Sequence, residues 1–172
     1  YSYVMVKKAA AIANVKVGWL DKKLGDAILQ ACDEVLGGRF LDQFVVDAFQ
    51  AGAGTSFNMN VNEVLANRAL EILGKERGDY KTVSPNDHVN MGQSSNDTFP
   101  TALHLATLTA LGPLLKELDR LAEAFHKLGT RYAQTIKSGR THLQDALPVT
   151  VGQEFSAYAE AIAHAKGQIV ER

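Results

Sequence analysis

An apolar stripe at helical spacing between Thr101 and Leu128 limits what this chain can become more than any other feature. Thr101 to Leu111 keeps the period, and Leu114, Leu115, Leu118, Leu121, Phe125 and Leu128 carry it onward. Residues that recur at i, i+3, i+4 and i+7 share one face of a helix, so the stripe calls for a long helix and something to cover it. Gly112 and Pro113 predict a kink or break within it, because proline lacks the N–H that the helix ladder needs. Gly129 is a candidate end.

The rest of the chain reads the same way. A helix runs through Tyr1 to Asn14 on Val4, Ala9 and Ile12, and Asp21 can cap a second from about Lys22 to Leu36, with Gly37 and Gly38 as its stop. Asn60 with Glu63 fits a capping box opening a third helix that continues to Gly74, and the striped helix is expected to start near Pro100. After a loop from Arg140 to Pro148, Phe155, Tyr158, Ala159, Ile162, Ala165 and Ile169 mark a last helix. Strand alternation is scarce and no repeat is present, so the expected class is all-α. No start signal precedes the first helix and no glycine or proline stops the last, which reads as a portion of a longer polypeptide.

Composition excludes several classes. Of 172 residues, 46% are hydrophobic and 22% charged, as in an ordinary globular protein. Eighteen Lys and Arg against nineteen Asp and Glu give a net charge of -1, without the basic surplus that attracts nucleic acid or anionic lipid. Neither nucleic acid nor membrane is an expected partner, and no apolar run reaches the length of a membrane span. Cys32 is alone and forms no internal disulfide, so a cytoplasmic location is expected. No pair of histidines has zinc-ligand spacing, and the GxSxG, GxGxxG and phosphate-loop patterns are absent. His104, His126 and His164 fall on helical stretches and read as packing or surface residues.

Three loops crowd small residues with neutral hydrogen-bonding groups. The first, Gly52 to Asn60, offers Thr55, Ser56 and Asn58 ahead of a helix, where glycines let a ligand approach the backbone. The second, Asn86 to Asp97, ends in Ser94, Ser95 and Asn96, donors placed where the positive end of a helix dipole suits a carboxylate or phosphate. Both also read as turns with caps, although one cap needs only one of those residues. His88 in the second loop reads as a loop hydrogen-bonder. The third, Ser138 to Asp145, gathers Arg140, Thr141, His142 and Asp145. It can bind a carboxylate and move protons, or it is a surface loop with a weak Arg140 to Asp145 ion pair.

Taken together, Gly54-Thr55-Ser56 with Asn58-Met59-Asn60, Gln93 to Asp97 with Pro100-Thr101, and Gly139 to Ala146 with Gly152 to Phe155 resemble the aspartase/fumarase superfamily in its N-terminal part. The resemblance spans nearly the whole chain. It implies an N-terminal helical domain at residues 1–97 and the beginning of a central bundle of long helices at 98–172, in a homotetramer whose active sites draw on three subunits. The implied chemistry removes a proton beside a carboxylate, stabilises an aci-carboxylate dianion and expels a leaving group to give fumarate. Thr55, Ser94, Ser95, Asn96, Thr141 and His142 match the family's substrate-binding residues, and Thr141 and His142 are the expected catalytic contacts of this segment, with His142 orienting and stabilising charge. The family's serine base and its carboxylate-binding lysine lie on downstream segments that this sequence does not contain, so these residues alone are expected to be inactive.

The substrate expected from the resemblance is a small dicarboxylate, with no cofactor and no metal ligand, although some members are activated by a divalent metal. Within the family, Ala51 to Ser56, Met5 to Lys8, Ala31 to Leu36, Asp42 to Phe44 and the connector from Lys75 to Tyr80 resemble the branch that eliminates ammonia from L-aspartate. Ser95 and the run Asp97 to Pro100 resemble instead the branch that dehydrates malate. The first branch is favoured on the number of matching stretches. A purely helical assembly module is the competing class, favoured by the apolar stripes, but it leaves the polar loops without a role.

Overall fold

A computed structural model describes residues 1–171. Helices dominate it: α1 (Ser2–Lys16), α2 (Lys22–Leu36), α3 (Thr55–Ile72), α4 (Ser95–Arg131) and α5 (Val151–Val170). A short 3-10 turn occupies Leu41–Gln43 and a single π turn Pro85–Val89. Between α4 and α5 the chain forms an antiparallel hairpin of β1 (Ile136–Thr141) and β2 (Gln144–Thr150). The helical class is therefore as expected, while the loop read at Arg140 to Pro148 is largely strand. Packing separates two compact units, Tyr1–Leu108 and Thr109–Arg172, the division falling inside α4.

In the first unit α1, α2 and α3 pack around a small-residue core. Ile28, Ala31, Cys32 and Val35 form the buried stripe of α2, opposite Val61, Leu65, Ala66, Ala69 and Leu70 of α3. The Asp21 carboxylate caps α2 as expected, accepting from the Lys23 and Leu24 N–H groups at 2.9 and 3.2 Å. Beside this core Arg68 on α3 grips Glu34 on α2 with two parallel bonds of 2.8 and 2.9 Å and reaches Glu71 at 2.8 Å. Such planar fork contacts are the strong form of the ion pair. They hold both carboxyls below the ordinary range.

Two boundaries differ from the sequence reading for local reasons. α3 starts at Thr55, with left-handed Gly54 (φ 67°) as its N-cap, so Asn60 lies inside the helix. Its amide is spent on the preceding segment, donating to the Gln43 carbonyl and accepting from the Val45 N–H, both at 3.0 Å. Likewise α4 begins at Ser95 rather than near Pro100 and runs 37 residues, past Pro113 and Gly129. One missing donor removes a single rung from a ladder that continues on both sides.

The second unit is built on the α4–α5 contact. Gly152 sits so close to α4 that a β-carbon there would lie 2.4 Å from the Gly129 carbonyl oxygen. Farther along, Phe125 meets Phe155 and Tyr158 with ring centroids 6.0 and 5.7 Å apart, the spacing of favourable aromatic pairs. Thr150 and Gln153 form a reciprocal capping box that starts α5 directly from the end of β2. No helix among the described residues is long and apolar enough to cross a membrane.

Candidate functional site

The first two polar loops converge. Thr55 opens α3 and Ser95 opens α4, and their hydroxyl oxygens lie 3.4 Å apart although 40 residues separate them in sequence. Ser94 caps α4, its Oγ accepting from the Asn96 N–H at 3.3 Å while its carbonyl accepts from the Asp97 and Thr98 N–H groups. Thr55, Ser94 and Asn96 are solvent-exposed and Ser95 is half-buried. Two helix N-termini thus present hydroxyl and amide donors to one place, an arrangement suited to an anion.

This convergence depends on a tight contact at Gly54. A β-carbon there would fall 2.2 Å from the ring of Phe99 on α4, and the residue also needs its positive φ, so only glycine fits. Phe99 in turn packs with Phe57 and Tyr3, centroids 6.2 Å away in each case. An aromatic cluster therefore sets how near the two helix ends approach.

Beneath the donors lies a buried polar network that the sequence reading did not identify. The Lys7 ammonium, fully buried, donates to Asn58 Oδ1 at 2.7 Å, Asn90 Oδ1 at 2.9 Å and Gln93 Oε1 at 3.0 Å. Tyr3 donates to Asn58 Oδ1 at 3.0 Å and shares a 2.8 Å bond with Thr98 Oγ1. Asn14, farther along α1, donates to the Met91 carbonyl at 2.9 Å. Burial pushes the Lys7 ammonium down to about 8, since desolvation disfavours the charged form. One signal was available: Tyr3, Lys7 and Asn14 repeat at helical spacing on the buried side of α1, alongside Val4 and Ala11.

Thr141 and His142 belong to the second unit, where both are exposed. Thr141 ends β1 opposite Gln144, and His142 with Leu143 forms the two-residue turn. Both turn residues have positive φ, 50° and 63°, a conformation that usually selects Asn or Gly. Each carries strain of about 1–3 kcal/mol. Asp145 steadies the turn, accepting from Ser138 Oγ at 2.9 Å and Arg140 Nε at 3.1 Å. A cleft of about 560 Å³ bordered by Phe40, Gln43, Asn60, Glu63 and Arg68 holds none of the expected site residues.

Comparison with known proteins identifies the family. The sequence profile of a lyase family matches residues 2–171. Aspartate ammonia-lyase from Bacillus sp is 56% identical over 159 residues, covering 92% of this chain and 34% of that protein. Class II fumarate hydratase from Thermosynechococcus vestitus is 51% identical over 170 residues, covering 98% of this chain and 36% of that protein. The crystal structure of a fumarate lyase:delta crystallin from Brucella melitensis superimposes with a TM-score of 0.92 at 52% identity, covering 99% of this chain and 40% of that one. The chain thus spans about a third of the length of the curated relatives it matches.

Proposed function

The chain belongs to the lyase family whose profile matches its residues 2–171, and from that membership we propose that the protein carrying this segment reversibly eliminates ammonia from L-aspartate to give fumarate. The observation that carries the reading is the meeting of Thr55 with Ser95, which joins two distant motifs at two helix N-termini. Ser94, Ser95, Asn96 and Thr55 hold the carboxylates of the substrate, and preorganised neutral donors stabilise the extra negative charge of an aci-carboxylate intermediate. Thr141 and His142 supply donors from the hairpin, with His142 orienting the substrate and stabilising charge. The proton-abstracting base comes from outside these residues.

We infer a homotetramer in which helices of several copies cover one another. Leu103, Leu108, Leu114 and Leu121 on α4 and Tyr158 on α5 are all at least 42% exposed, more apolar surface than a helix normally leaves in water.

Dehydration of malate is the second reading, favoured by the 51% identity to a class II fumarate hydratase and by Ser95. One methyl at that position tunes selectivity by only about 1–3 kcal/mol. Fumarate absorbance in the full-length protein, followed with L-aspartate and separately with L-malate, decides between them. Turnover of malate alone overturns the ammonia-lyase reading.

A further inference from the structure

The polar face of α1 contributes nothing to the chemistry described so far, yet it is buried and fully engaged. Lysine is almost never buried to completion without an acidic partner. The acceptors here are three neutral amides, whereas the neighbouring Lys8 pairs with Asp33. A charge buried in this way stabilises a fold less than an apolar side chain of similar size would, so stability alone is a poor account of it.

The positions of the acceptors give a better one. Asn58 lies in the first turns of α3, and Asn90 and Gln93 lie in the loop that delivers Ser94 to the start of α4. Only an ammonium offers three donors from one atom. Resting on the reading that Thr55 and Ser94 to Asn96 bind a dicarboxylate, we propose that Lys7 is a positioning residue, holding the N-termini of α3 and α4 in the register that lets both address one substrate.

The bond pattern shows where the loss would fall. Without Lys7, Asn58 Oδ1 still accepts from Tyr3, and Asn90 Oδ1 still accepts from the Asn58 and Asn62 amides at 3.2 Å. Gln93 Oε1, beside Ser94, loses the partner it has. Damage is directed at the substrate loop rather than at the core.

The test uses the full-length protein with Lys7→Met, Gln93→Leu and the double variant, measuring kcat, KM and melting temperature with whichever of L-aspartate and L-malate the wild type turns over. Each single variant raises KM about tenfold or more while kcat changes by less than about threefold. The double variant is no worse than the worse single one, because both changes cut the same link. Melting temperatures stay within about 5 °C of wild type. A folded Lys7→Met protein with unchanged KM, or with lowered melting temperature alone, overturns the proposal. Should that variant fail to fold, Gln93→Leu decides, and an unchanged KM there overturns it equally. A wild type silent with both substrates defeats the functional reading and this inference together, whereas an active wild type with indifferent variants defeats only the assignment of Lys7.

Discussion

Thr55 and Ser95 stand on helices whose first turns are tied together from below by Tyr3, Lys7, Asn58 and Thr98, all of them buried. Thr141 and His142 stand on a hairpin turn whose residues are exposed, whose backbone is at positive φ and whose steadying ion pair, Arg140 to Asp145, lies in solvent. A geometry built into a core persists until the core fails. A strained turn in water takes its final shape from whatever settles against it. On the proposed function, one set of donors is prepared from within and the other is completed by its surroundings in the proposed assembly.

Core truncation strikes the first set hardest. Leu65→Ala removes a fully buried side chain facing α2 and is expected to cost about 4 kcal/mol. Chemical denaturation checks this, and a small cost would mean that the first unit does not rely on its core. His142→Ala in the full-length protein reverses the pattern: turnover falls about a hundredfold, near 3 kcal/mol in barrier, while melting temperature and assembly stay unchanged. Concerted loss of both would show that the hairpin is also a structural part.

A pH titration of stability separates the regions a third way. Lys7 faces the Tyr3 phenol on its own helix, the Cys32 thiol of α2 and the amides of Asn58, Asn90 and Gln93, and its ammonium sits at about 8 against an ordinary 10.5. Below that window the lysine is charged in both folded and unfolded states. Across it the unfolded chain binds the extra proton at this lysine, so the Lys7 contribution to stability rises with pH, by at most about 3 kcal/mol. It is opposed in the upper part of the window by the Cys32 thiol, which burial pushes up to about 12. The rise is expected to vanish in Lys7→Met, as denaturation at pH 7.5 and 10 would show. Smallest is the effect of Leu143→Gly, which relieves one left-handed residue and is expected to stabilise the protein by roughly 1 kcal/mol. A loss instead would mean that the apolar Leu143 side chain, 91% exposed, is held by a partner.

Helix identity was legible because apolar periodicity survives any local exception, as α2 and α5 illustrate. Boundaries were less so. Asn60 carries the chemistry of a cap yet serves the chain behind it, because an amide takes whichever backbone partner tertiary structure brings near. The hairpin was hidden by its own turn, since His142 and Leu143 give no glycine or asparagine signal and Pro148 breaks the look of a strand. Proline is tolerated there because the sheet has only two strands, each with a free edge. Among the candidate site residues, the polar loops stood out in the sequence as more than caps require, and the role proposed for Thr55, Ser94, Ser95, Asn96, Thr141 and His142 came with the family resemblance. Lys7 did not stand out, because a lysine between apolar residues looks like a charge on the solvent side until the fold turns it inward.

The contact between Gly152 and Gly129 bears on how the gene can drift. Every single-base change in a glycine codon that yields another amino acid adds a β-carbon, and at position 152 that atom would meet the opposing backbone at 2.4 Å. Backbone gives way far less readily than a side chain. Gly152 is thus a position with no easy neighbouring step, because any such change drives a β-carbon into the α4 backbone.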